Sequence, residues 1–238
     1  MVTFKAMNFL SHFYFEKDSH DENMVMGVVL PDLVKNAQKD GNLYPLKDRQ
    51  RFEEDPKQLS ILKGWERHIQ VDAIFHSSGF FKLQTNTLKQ ILLPVFENSP
   101  VKPFFLAHIG LELLLDHLLI TDGIVSIHAF YEHLAKADQG SLDAFLQNCE
   151  VADTAVFFHF LNSFISGKYL LSYQKIENIS YALNRICMRL WDNPFTNRQL
   201  VLLTDGLNVF KDSIAGSYPT IFDEIELQIN QLNLHKLQ

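Results

Sequence analysis

Cysteine is scarce. Only Cys149 and Cys187 occur in 238 residues, and both lie in helix-like sequence without a CxxC spacing, so neither a disulfide framework nor a cysteine-ligated zinc site is suggested. Reduced thiols are the expectation. The chain also lacks any run of 18 uncharged apolar residues, so no membrane span is expected. The apolar stretch near the N-terminus is interrupted by His12 and is followed by no small-residue cleavage site, which argues against a signal peptide. A soluble, cytoplasmic protein is expected. Long Lys/Arg clusters are missing and the formal net charge is −7, so the counterion-release energy that drives general nucleic-acid binding has no source. Nucleic acid is therefore not an expected partner. Glycine is infrequent, at ten residues, and alternating Val/Ile/Thr runs are few. Internal repeats, low-complexity tracts and Gly/Ser/Pro-rich linkers are absent too, which leaves one domain as the simplest organisation.

What the chain has is helical periodicity and phenylalanine. Twenty Phe among 47% hydrophobic residues predict a thick aromatic core. The apolar spacing predicts helices over about 6–16, 22–36, 57–78, 79–97, 101–121, 123–136, 141–166, 168–192, 196–213 and 217–235. Thr196 with Gln199 three residues later reads as a capping box. The expected fold is all-α, a single-domain helical bundle over 1–238, with residues 37–56 as a polar surface loop.

Four stretches place histidine and carboxylate among apolar residues, where an unpaired charge is costly. They hold His12; Asp32; His68, Asp72 and His76; and His108, Glu112, Asp116 and His117. Four-residue steps put His68, Asp72 and His76 within an arc of about 80° on one helix face. That face is either a ligand row or a solvated stripe. Glu112 and Asp116 share a face of a helix that is apolar almost all round, so two carboxylates would project side by side into the interior. Such a pair persists if it is protonated, if other polar groups satisfy it, or if a cation sits beside it. Asp32 follows Pro31, and a helix N-cap is its alternative role. His108 reads as structural.

At these residues the chain resembles the acyl carrier protein phosphodiesterase family, an all-helical group related to the HD-type metal-dependent phosphohydrolases. The family's opening Asn-Phe-Leu-Ala-His is matched by Asn8-Phe9-Leu10-Ser11-His12. Its Gly-x-x-x-x-Asp segment is matched by Gly27 to Asp32, its Gly-x-x-x-His-x-x-x-Asp motif by Gly64, His68 and Asp72, and its acidic-x-x-x-Asp-His motif by Glu112, Asp116 and His117. The four motifs run in order through about residues 7–120. The chain departs from the family at Ile69, where Arg is usual, and at Phe75-His76-Ser77-Ser78, where the family has Thr-Asp-Ser-His.

The resemblance implies an HD-domain-like bundle and metal-assisted hydrolysis of a phosphodiester, releasing 4′-phosphopantetheine from holo acyl carrier protein. It implies a divalent metal, Mn²⁺ or Mg²⁺ foremost and Fe²⁺ as an alternative. His12, Asp32, His68, Asp72, Asp116 and His117 are the expected ligands, with His76 and Glu112 as the expected acid or base groups. Acyl carrier proteins are acidic, so docking would need a local basic patch, with Lys35, Lys39, Lys47, Arg49 and Arg51 as candidates. Two alternatives stand beside this reading. One is a non-catalytic helical binding or scaffold protein, which would bind no metal; the other is a nucleotide phosphohydrolase with a small phosphorylated substrate in a narrow pocket under the 37–56 loop.

Overall fold

The computed structural model describes residues 8–38 and 42–235. Among them every regular element is helical, with no strand, as the periodicity predicts. The α-helices are α1 (Phe9–Tyr14), α2 (Glu22–Ala37), α3 (Pro56–Ser77), α4 (Gly79–Ile91), α5 (Pro103–Thr121), α6 (Ile127–Lys136), α7 (Gln139–Asn148), α8 (Ala155–Gly167), α9 (Ile176–Cys187), α10 (Asn197–Ile214) and α11 (Pro219–His235). They form two compact units, each assembled from separated stretches of chain. Residues 9–72 and 124–171 make one; residues 73–123 and those from Ser172 on, with Asn8, make the other. We call them the α2 unit and the α5 unit after their central helices.

In the α2 unit every residue of α2 from Val25 to Val34 is buried, beneath α1, α6 and α8. The aromatic core is here: Phe9 and Tyr131 meet Phe164 at ring distances of 5.0 and 5.5 Å, and Phe13 meets Phe130 at 5.3 Å. Asp21 caps α2 by accepting from the backbone N–H groups of Asn23 and Met24. Asp32 therefore lies inside the helix, and the N-cap alternative for it falls away.

Glycine does one specific job in this unit. A β-carbon on Gly64 would stand 2.7 Å from both Gly27 Cα and Val28 N, and one on Gly27 would stand 2.9 Å from Gly64 Cα and collide with the Ile61 carbonyl oxygen. Helices α2 and α3 thus cross backbone to backbone at Gly27 and Gly64, a closeness no side chain permits. The crossing lies just N-terminal to Asp32 on one helix and one turn before His68 on the other.

The stretch expected as a loop contains a 3-10 helix, Pro45–Phe52. Pro45 starts it with a preset φ, and buried Phe52 anchors its end on Phe145 at 4.6 Å. Arg51 donates to the Asn148 carbonyl at 3.1 Å, tying the segment to the end of α7. The helix expected over 141–166 is two helices, because residues 149–154 turn through Glu150 at φ 65°. Apolar spacing continues across that turn, so periodicity alone does not reveal it.

In the α5 unit, α5 is buried from Phe105 to Leu119 on every face, enclosed by α4, α9 and α10. By length and composition it would cross a membrane, yet 78% of its most apolar window is buried within the protein. The Thr196–Gln199 capping box is present, and Gln199 also donates to the Val95 and Glu97 carbonyls at 2.9 Å each. This buried amide fastens the start of α10 to the 3-10 turn Leu93–Phe96.

Candidate metal centre

In the α2 unit, α1 supplies His12, α2 supplies Asp32 and α3 supplies His68 and Asp72. His12 Nε2 stands 3.3 Å from Asp72 Oδ1, and His68 Nε2 stands 3.4 Å from Asp72 Oδ2. The two imidazoles stack with centroids 3.8 Å apart and planes 18° apart. His12, Asp32 and His68 are buried, whereas 26% of the Asp72 side chain is exposed, so solvent reaches the cluster over Asp72. Donor atoms of His12, His68 and Asp72 all lie within 4.8 Å of one another.

His68 is fixed in one tautomer. Its Nδ1–H donates to the Val28 carbonyl at 2.8 Å, one residue beyond Gly27, whose carbonyl loses its helical donor because Pro31 has no N–H. The Nε2 lone pair of the neutral ring consequently faces the Asp72 carboxylate. Two acceptors at 3.4 Å repel unless something positive lies with them, and Nε2 of His68 and Oδ1 of Asp72 are buried without a well-formed hydrogen bond. Burial alone would push the His68 pKa down; the Asp72 carboxylate and the field of Asp32 outweigh it and the pKa rises. Burial would likewise raise Asp72, but the His12 and His68 imidazoles hold it well below the usual carboxylate range. The field that draws a proton to His68 is the field that would hold a metal cation. The two imidazoles and the Asp72 carboxylate, within the field of Asp32, form a donor set that fits a divalent transition metal.

The α5 unit holds the remaining candidates. The Nε2–H groups of His76 and His108 both donate to one oxygen of Glu112, Oε1, at 3.1 and 3.0 Å. Burial would raise the Glu112 pKa, but His108 and His76 outweigh it and the pKa is lowered. His108, expected to be structural, is a direct hydrogen-bond partner of Glu112, as its i, i+4 spacing on α5 allows. Asp116 is fully buried one turn after Glu112. His117 belongs to neither histidine–carboxylate group. Its Nδ1–H donates to the Tyr173 carbonyl at 2.7 Å, burial lowers its pKa, and it lines an open cavity of about 500 Å³ with Lys211, Asp212 and Glu177. The eight sequence candidates therefore divide between the units, His12, Asp32, His68 and Asp72 in one and His76, Glu112, Asp116 and His117 in the other.

Of the candidate basic patch, Arg49 pairs with Glu66 at 3.0 Å and Arg51 with Asp48 and Glu150 at 3.5 Å each. Lys47 lies over the Tyr44 ring at 4.4 Å, Lys35 is in the last turn of α2, and Lys39 falls outside the described residues.

The described residues thus form an all-helical fold with two histidine–carboxylate clusters, each of which could hold a metal ion. The family model for acyl carrier protein phosphodiesterase matches residues 7–225, so the chain belongs to that family. Comparison with curated proteins and with solved structures gives no match.

Proposed function

We propose that this protein is a metal-dependent phosphodiesterase that removes 4′-phosphopantetheine from holo acyl carrier protein, using a divalent ion held by His12, His68, Asp72 and Asp32. Membership of the family supports the reaction class. The observation that carries the metal dependence is the convergence of His12, His68 and Asp72, whose donor atoms lie within 4.8 Å of one another with the Nε2 of His68 turned toward Asp72 by the bond from Nδ1 to Val28. Two nitrogen donors suit Mn²⁺ or Fe²⁺ better than Mg²⁺, which prefers oxygen ligands.

When bound, the ion would lower the pKa of water toward neutrality and offset negative charge on the phosphoryl oxygens. The protein's own groups prepare this. The carboxylate of Asp72 stays ionised through the physiological range because His12 and His68 hold its pKa down. Val28 prevents the His68 ring from turning its other nitrogen toward the site. Buried walls around His12 and Asp32 limit competing water and strengthen the local field. Of the five candidate basic residues, Lys35, three beyond Asp32, is the nearest in sequence to these ligands for meeting an acidic carrier. Two of the other candidates, Arg49 and Arg51, already serve internal ion pairs.

The test is incubation of the purified chain with Mn²⁺ and holo acyl carrier protein, followed by intact mass. Wild type is expected to remove the prosthetic group and Asp72→Ala is not. No mass loss from a manganese-loaded wild type would remove acyl carrier protein as the substrate. Equal mass loss by both proteins would remove Asp72 from the centre.

A further inference from the structure

His76 places a second imidazole against the Glu112 carboxylate, which already has His108 beside it. We infer that His76, His108 and Glu112 form a zinc site in the α5 unit, separate in its residues from the α2-unit centre.

The geometry supports this first. Glu112 Oε1 stands 3.1 Å from His76 Nε2 and 3.0 Å from His108 Nε2, and one donor atom from each residue lies within 4.8 Å of the others. Donor atoms around a tetrahedral zinc with bonds near 2.05 Å stand roughly 3.3 Å apart. Small side-chain rotations would therefore convert the hydrogen-bonded trio into a ligand trio. His108 and Glu112 are one turn apart on α5, so a rigid helix sets two of the three donors. His76, on α3, supplies the third.

A second observation is independent of the clustering. Glu112 is 1% exposed, and its other oxygen, Oε2, is buried without a hydrogen bond. A carboxylate oxygen left so is costly, and a cation at the trio would offset that cost. The surroundings suit a metal that tolerates an apolar shell: Phe81 stands edge-on to both rings, 5.0 Å from His76 and 4.9 Å from His108, and Phe104 stands 5.9 Å from His108. His76 is 33% exposed, which gives an ion an entry path and a fourth, water-filled position.

The donor set selects the metal. Two imidazoles and one carboxylate with an open position match zinc sites and offer little to Mg²⁺ or Ca²⁺, which need more oxygen ligands. In the α2 unit the field of Asp32 adds a further negative charge near the imidazoles, which favours a harder ion there.

The test isolates this site from the other centre by working in full-length Asp72→Ala. Metal is stripped with chelator, Zn²⁺ is added, excess is removed by gel filtration, and bound zinc is counted by elemental analysis. Asp72→Ala is expected to retain one zinc per chain. The Asp72→Ala/His76→Ala and Asp72→Ala/His108→Ala proteins are expected to retain none, with the melting curve of each checked in the absence of metal. Because His76 is partly exposed, its removal is the variant least exposed to folding failure. Co²⁺ loaded in place of zinc should give the intense visible bands of a tetrahedral site. An Asp72→Ala protein that binds no zinc, double variants that keep it, or a weak octahedral cobalt spectrum would each overturn the assignment. A failure to release phosphopantetheine would leave it untouched.

Discussion

Substituting Gly64 by alanine tests the link between the helix crossing and the proposed metal centre. The new β-carbon would lie 2.7 Å from Gly27 Cα and Val28 N, whereas non-bonded carbons rest about 3.5 to 4.0 Å apart. Helices α2 and α3 must then separate by roughly 1 Å, because the obstruction is backbone and has no rotamer to change. Overpacking costs about 1 to 3 kcal/mol, and an obstruction of backbone on backbone falls in the upper half of that range, about 2 to 3 kcal/mol, partly offset by about 1 kcal/mol of improved helix propensity. A net loss of about 1 to 2 kcal/mol corresponds to a melting temperature lower by roughly 2 to 8 °C for a chain of this size. The same movement would stretch the 2.8 Å bond between His68 Nδ1 and the Val28 carbonyl to beyond hydrogen-bonding range. Loss of such an orienting partner typically weakens metal affinity by about 10 to 100-fold. Urea denaturation and Mn²⁺ titration of Gly64→Ala, with Gly79→Ala as control, measure both effects. No atom lies within 4 Å of a β-carbon at Gly79, so that variant should be neutral or gain up to about 1 kcal/mol. A Gly64→Ala protein with wild-type stability and wild-type manganese affinity would refute the reasoning.

Burial pushes the Cys149 and Cys187 thiols up to about 12, so neither should react with a thiol reagent at pH 8 in the native protein, while both should react in denaturant. The Lys57 ammonium, 2.6 Å away, holds the Asp138 carboxyl down at about 2. A depressed carboxylate contributes its stability above the unfolded value near 3.8 and loses it as pH falls toward 2; Asp138→Asn should flatten that part of the urea-midpoint profile. Replacing Phe52 by alanine removes the apolar anchor of the 3-10 segment on Phe145. Cleavage by a protease within residues 42–55 should accelerate, and an unchanged digestion rate would show that the Arg51 and Asn148 contacts alone hold the segment.

The helical class and several helix boundaries were legible because periodicity and caps are local. Thr196 and Gln199 announce the start of α10, and both do in the structure what their spacing implies. His68 and Asp72 were legible as a pair for the same reason, since a four-residue step brings side chains together on any helix. Long-range partners were not. Nothing within α5 tells that His76 shares Glu112 Oε1 with His108, because His76 comes from a different helix. The carbonyl that orients His68 belongs to α2, 40 residues earlier, and no local pattern points to it. Gly27 and Gly64 were visible as motif glycines, but their mutual contact needs both helices in place. Residues 149–154 escaped detection because the turn interrupts backbone conformation without interrupting apolar spacing.

The interleaving of the two units bears on how the chain is made. Neither unit is a continuous piece of sequence, so neither is complete when its first segment leaves the ribosome. Helix α5, among the described residues the helix long and apolar enough to cross a membrane, ends at Thr121, but its neighbour α9 begins only at Ile176 and α10 ends at Ile214. About 90 residues must still be synthesised before its surface is covered, which at usual rates takes roughly 5 to 20 seconds. During that interval a helix as apolar as a membrane span waits, partly clad by α4, for partners that do not yet exist. Slowing of translation between α5 and α10 would lengthen that wait, and yield of folded protein would then depend on the pace of synthesis as well as on the stability of the finished fold.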